Sequence, residues 1–112
     1  MDCVFCKIAK GEIPSRKVYE DDRVLAFYDS DPQAPVHILI IPKEHISSAT
    51  AITPENSAII AHIFEVAVKL AADHHLDGGF RIVCNVGKDG GQTVPHLHFH
   101  LLGGRSMKWP PG

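Results

Sequence analysis

The chain has 112 residues, 45% of them hydrophobic and 21% charged, with a formal net charge of −2; this fits one compact domain spanning 1–112 and excludes a disordered chain. The 11 basic residues are scattered among 13 acidic ones, so no basic stripe is available for nucleic acid. No apolar run approaches a membrane span, the opening MDCVFCKIAKGEIPSRK lacks the apolar centre of a signal peptide, and three cysteines, an odd number, fit a reducing compartment, so a cytoplasmic protein with no membrane partner is expected. In chain order, a short helix is predicted around VFCKIAKG, stopped by Gly11 and the turn-prone Pro14. KVYE and VLAFYD flank the polar DDR and read as a hairpin, and VHILIIP (36–42) reads as one buried strand closed by Pro42. TPENSAIIAHIFEVAVKLAADHH (53–75) is the clearest helix. Thr53 suits its N-cap, Pro54 its first turn, and Glu55 the positive end of the dipole. Ile59, Ile63, Val66 and Leu70 recur at helical spacing, with Ile60, Phe64, Ala67 and Ala71 widening the apolar stripe. After the terminating DGG, FRIVCNV (80–86) and PHLHFHLL (95–102) predict two strands joined by the glycine-rich GKDGGQT. The sum is an α+β domain: about five antiparallel strands, one long helix and one short one.

The last strand carries the chemistry. Side chains alternate along a strand, so His96, His98 and His100 share one face while Leu97, Phe99 and Leu101 take the core face. Three imidazoles on one face need a polar site or water, because burying them unpaired is costly. The spacing admits three readings. The face is simply solvated; or alternate histidines ligate a catalytic zinc, which needs a third ligand and an open position; or the central His98 attacks phosphorus while its neighbours handle protons and charge. The other histidines have simpler explanations: His62 falls on the polar side of the long helix, and His74 and His75 near its end, where solvation or the helix dipole accounts for them. Cys84, within FRIVCNV, reads as a small buried hydrophobe.

HLHFHLL resembles the H-x-H-x-H-x-x signature of the histidine triad superfamily, x being apolar. The likeness extends through EIPSRKVYEDD, LAFYDSDPQAPVHILIIPKEHI, GFRIVCNVGKDGGQ and LLGGRSMKWPPG, and the tail is similar to the Hint branch of nucleotide-binding homodimers. That resemblance implies hydrolysis of purine nucleoside phosphoramidates with no catalytic cofactor. His98 would attack the α-phosphorus to give a nucleotidyl-histidine that water resolves, His100 and His37 would support it, and Thr93 would meet the leaving group or a phosphate oxygen. Asn85 and the backbone around Gly91 and Gln92 would hold the phosphate, Asp29 the ribose hydroxyls, and Phe5, Ile8, Ile13, Phe27 and Leu39 would enclose the base. For each of these apolar residues, plain core is an equal explanation.

Cys3 and Cys6 have the C-x-x-C spacing of half a zinc site. Relatives within the superfamily imply that His45 and His96 supply the other half, as a structural zinc that leaves His98 free. Trp109, followed by two prolines, has no evident place in so small a core. The resemblance implies a homodimer formed through the long helix and a strand, with Trp109 near the partner's active site. The alternatives to a phosphoramidase are a dinucleoside polyphosphate hydrolase, a nucleotide-binding regulatory module, and a zinc-dependent hydrolase.

Overall fold

A computed structural model describes residues 3–112. The elements follow in the order α1 (Val4–Ala9), β1 (Lys17–Glu20), β2 (Val24–Tyr28), β3 (Val36–Pro42), a 3₁₀ turn (Ala49–Ala51), α2 (Ala58–Asp73), β4 (Phe80–Val83) and β5 (Phe99–Gly103). The strands form one antiparallel sheet in the order β1-β2-β3-β5-β4, which is the predicted α+β architecture. No helix among the described residues is long and apolar enough to cross a membrane.

The two faces of the sheet carry two cores. On one, Ile63, Val66, Ala67 and Leu70 of α2 pack against Ile38, Ile40, Leu97, Phe99 and Leu101. On the other, α1 brings Cys3, Phe5 and Ile8 against Leu25, Phe27, Leu39 and Ile41. The alternation in β3 and around β5 decides this division, sending odd and even residues to opposite helices.

Both helices end on the same backbone motif. At α1, Gly11 takes φ +79, with Gly11 N–H bonding Ile8 O and Glu12 N–H bonding Lys7 O. At α2, His75 takes φ +59, with His75 N–H on Ala72 O and Leu76 N–H on Ala71 O. These are the paired bonds of a left-handed helix stop, which normally selects glycine. The stop at Gly11 is the expected one, whereas α2 ends at Asp73, ahead of the anticipated DGG.

Several boundaries differ from the sequence reading. The α-helix begins at Ala58, not near Thr53; residues 53–57 form a preceding turn in which Asn56 Oδ1 accepts Thr53 N–H at 2.7 Å and Ser57 N–H bonds Thr53 O at 2.9 Å. Phe64, expected in the buried stripe, is 43% exposed, although its ring meets Phe99 edge-on. β4 stops at Val83 and β5 starts only at Phe99. Pro95 has no N–H to offer a ladder, and Leu97 N–H bonds Ile46 O instead of a neighbouring strand. His96 and His98 therefore lie in the approach to β5 rather than within it, still on the α1 side. Cys84 is half-buried against the α2-side core, and burial raises its thiol pKa.

Candidate active site and metal cluster

A cleft of about 880 Å³ opens on the α1 side of the sheet, lined by Phe5, Ile8, Phe27 and Leu39 as its apolar part and by Asp29, Thr93, His98 and His100 among its polar groups. The four apolar residues are 5–8% exposed and belong to the α1-side core, so core and cleft wall are one surface. Ile13 packs against that core but lies outside the cleft lining, as do Asn85, Gly91 and Gln92. Val4, Ser15, Arg16, Tyr28 and Ser30 also line it, and the Arg16 guanidinium lies 4.8 Å from the Tyr28 ring centroid.

Hydrogen-bond partners determine which nitrogen of each histidine carries the proton. His98 Nδ1 lies 2.7 Å from His96 O; a carbonyl only accepts, so Nδ1 carries the hydrogen and Nε2 keeps its lone pair. His37 Nδ1 accepts Gln33 N–H at 3.0 Å, which leaves the hydrogen on Nε2, and that atom is 2.9 Å from His100 Nδ1. His100 in turn carries its hydrogen on Nε2, a buried atom with no partner among the described residues. One proton-ordered row thus runs from the Gln33 amide through His37 to His100. Burial holds His37 below its usual pKa against the opposing pull of Asp29, and lowers His100 to about 4, with the charges of His98 and His37 adding to the fall.

Asp29 is positioned by its own turn. Oδ1 accepts Asp31 N–H at 2.8 Å and the Asp29 N–H bonds His37 O, while Oδ2 faces His37 Nε2 at 3.4 Å. Asp29, His37 and His100 present donor atoms close enough for a metal, but the Gln33 amide keeps the hydrogen on His37 Nε2, the atom a metal would need. This group is a proton-sharing network.

The glycine-rich loop is arranged differently from the phosphate cradle expected of it. Gly91 N–H bonds Lys88 O and Gln92 N–H bonds Gly87 O, so neither amide points to the cleft. The Gln92 side chain closes the loop, accepting from Gly87 N–H at 3.1 Å and donating to Ser47 O at 2.8 Å and Val94 O at 2.9 Å. Its effect is to place Thr93 and Val94 on the cleft wall. Two further partnerships were not anticipated: His62 Nε2 sits 2.6 Å from Asp21 Oδ2, tying α2 to the β1–β2 turn, and His74 Nε2 sits 2.8 Å from Tyr28 Oη.

A second cluster lies beside the cleft. The ligand atoms of Cys3, Cys6, His45 and His96 all fall within 4.8 Å of one another. Cys3 Sγ is 3.3 Å from His96 Nδ1, and Cys6 Sγ is 3.3 Å from His45 Nδ1 and 3.5 Å from His96 Nδ1. Tetrahedral zinc, with bonds of about 2.3 Å to sulfur and 2.0–2.1 Å to nitrogen, sets sulfur and nitrogen about 3.5 Å apart. His96 Nε2 bonds Pro42 O at 2.8 Å, which leaves the Nδ1 lone pair directed at the thiols, the orientation that an outer partner imposes on a metal-binding histidine. Burial raises the Cys6 thiol pKa and Cys3 adds to the rise, an effect that a bound cation reverses. The donor set fits a closed, structural zinc.

Residues 10–107 match the family model described as the HIT domain. The chain is 49% identical over 111 residues to a 14 kDa zinc-binding protein of Zea mays, covering 97% of this chain and 87% of that one. Among solved structures it is similar to a HIT family hydrolase from Legionella pneumophila, with a TM-score of 0.97, 53% identity, and coverage of 99% of this chain and 100% of the other. It is also similar to a histidine triad nucleotide-binding protein from Candida albicans, at TM-score 0.84 and 36% identity, covering 97% and 83%.

Proposed function

The chain belongs to the HIT domain family, and on that premise we propose that it is a nucleotide hydrolase cleaving the P–N bond of purine nucleoside 5′-phosphoramidates through a covalent nucleotidyl-His98. The observation that carries this reading is the fixed tautomer of His98, whose Nδ1–H is held by His96 O and whose ring lines the cleft. As Nε2 attacks phosphorus, positive charge develops on the ring, and a carbonyl already bonded to Nδ1–H stabilises it without reorganisation. The unpartnered His100 Nε2–H is the hydrogen-bond donor available to a phosphate oxygen, with His37 next in the row. The nitrogen of a P–N bond accepts a proton more readily than the oxygen of a phosphate ester, so the departing amine takes its proton from water in the open cleft while the neutral His100 keeps its own. Phe5, Ile8, Phe27 and Leu39 enclose the base, Asp29 receives the ribose hydroxyls, and Thr93 stands near the phosphate.

Cys3, Cys6, His45 and His96 hold a structural zinc in this reading; bound there, the ion supplies a four-way cross-link and no open coordination position. A second copy of the chain covers the apolar surface formed by Phe64, Val68 and Phe80, which are 40–59% exposed. β4 also lies at the sheet edge, paired only with β5, and Trp109, 82% exposed, reaches the partner's cleft.

The test is release of AMP from adenosine 5′-phosphoramidate by wild-type and His98→Ala protein, with and without EDTA. Turnover by wild type in both conditions and none by the folded variant is expected. Turnover by His98→Ala at the wild-type rate overturns the nucleophile assignment, and greater activity of wild type on diadenosine polyphosphates than on the P–N substrate overturns the substrate assignment.

A further inference from the structure

The cysteine–histidine cluster and the cleft are joined by two separate connections. The first is His96. Its ring, 0% exposed, offers Nδ1 to the thiols and is pinned by Pro42 O at Nε2. Its own carbonyl is the acceptor, at 2.7 Å, for His98 Nδ1–H. The second is α1. Phe5 stands between the two cysteines in C-V-F-C; it lines the cleft, meets His98 edge-on with ring centroids 5.1 Å apart, and meets His96 at 6.0 Å and Phe27 at 5.6 Å. Cys3 caps this helix, its Sγ accepting Cys6 N–H at 3.3 Å. Drawing the four side chains onto one centre therefore constrains both the acceptor of the His98 N–H and the ring that abuts His98.

We propose that the Cys3–Cys6–His45–His96 centre positions the reaction machinery as well as cross-linking the chain: zinc bound there sets the tautomer and ring orientation of His98 and the placement of Phe5 in the nucleotide cleft. The proposal rests on the zinc and His98 assignments above. His96 and Phe5 act as positioning residues. A cross-link remote from the cleft would stabilise the fold and leave the folded cleft unchanged, whereas this centre acts on the cleft itself.

The experiment compares zinc-loaded protein with protein stripped by a chelator, both ¹⁵N-labelled at histidine. Long-range ¹H–¹⁵N spectra read the His98 tautomer, calorimetry reads AMP affinity, and circular dichroism confirms folding. The zinc-loaded protein should show His98 as a single Nδ1–H tautomer. The folded, metal-free protein should show mixed tautomers and bind AMP ~10-fold more weakly, the scale on which partners outside a metal's ligand set act; His45→Ala should fall between the two, and added zinc should restore wild type. An unchanged tautomer and unchanged AMP affinity in folded metal-free protein overturn the proposal, as does a chain that takes up no zinc. Where the stripped chain unfolds, cadmium replaces zinc in the folded protein: its longer bonds should move the His98 ring resonances and weaken AMP binding, and identical spectra and affinity overturn the proposal. Neither readout requires turnover. Absence of phosphoramidate hydrolysis would count against the activity alone, and zinc-loaded protein that does not bind AMP would count against the nucleotide reading.

Discussion

The imidazole of His100, held neutral by its surroundings, makes stability depend on pH in a range where carboxylates contribute little. His100 titrates in the native chain at about 4, against an ordinary value of 6.5, because burial and the charges of His98 and His37 disfavour its cationic form. A histidine with a lowered native pKa is neutral in both states above 6.5; as pH falls from there toward 4, the unfolded chain takes up a proton that the native chain refuses, and stability is lost. At pH 4.5 the unfolded imidazole is almost fully protonated and the native one only by about a quarter, which works out to a ceiling of about 2.5 kcal/mol. The open side of the cleft screens part of this, so the expected loss is about 1–2 kcal/mol. His100→Asn removes the titrating ring and keeps an acceptor near the position of Nδ1 for His37 Nε2–H. Urea unfolding of both proteins at pH 7.5, 6.5, 5.5 and 4.5, at equal zinc, cancels the protonation of the cysteine–histidine cluster. Wild type should lose about 1–2 kcal/mol more than His100→Asn over this range. Parallel stability curves would refute the argument that His100 is held neutral by its surroundings. Asp21 does not imitate this signal: burial opposes its ionisation, but the N–H groups of Arg23 and Val24, with His62 and Tyr19, hold its pKa well below the usual carboxylate range, so its contribution is present above its unfolded value of 3.8 and is lost only as pH falls below it.

His75→Gly should stabilise the chain by about 0.5–1 kcal/mol in thermal or urea unfolding, because glycine takes the φ of +59 at the end of α2 without the strain of a side chain; a lower melting temperature would show that the His75 ring contributes more than its backbone costs. Light scattering at micromolar concentration should give twice the chain mass of 12.3 kDa, and Val68→Glu should return a folded monomer; a wild-type monomer would remove the second copy from the apolar surface of α2 and β4.

Legibility differed with the range of the interaction. The sheet and α2 were readable because burial imposes a period on the sequence: Ile63, Val66 and Leu70 repeat with the helix, and Leu97, Phe99 and Leu101 with the pleat. The stop at Gly11 was readable because glycine advertises a left-handed residue, and the stop at His75 was not, because histidine does not. Cys3, Cys6, His45 and His96 were nominated from residue type and resemblance, and the fold brings their ligand atoms together. The proton order of His37, His98 and His100 was beyond the sequence, since it depends on the main-chain N–H of Gln33 and the carbonyl of His96, groups that every residue but proline possesses. Gln92 shows the same limit: its side-chain amide suits a phosphate as well as a loop, and only the positions of Gly87, Ser47 and Val94 decide for the loop.

The proton order also explains why three histidines at alternate positions need not share one task. His96 is held at Nε2 by Pro42 and offers Nδ1 to the thiols, while His98 is held at Nδ1 by His96 and keeps its Nε2 lone pair. His100 receives at Nδ1 from His37 and carries its hydrogen on Nε2. One side-chain type thus supplies a lone pair directed at the thiols, a lone pair left open at His98 Nε2 and a donor, each assigned by the atom opposite its other nitrogen. A solvated histidine face would have no such assignments, and a zinc held by all three rings would need lone pairs converging on one point. His96 instead turns toward Cys3 and Cys6, whereas His98 and His100 line the cleft. The geometry divides the triad between the cysteine–histidine cluster and the cleft, with the main-chain carbonyl of His96 as the link between them.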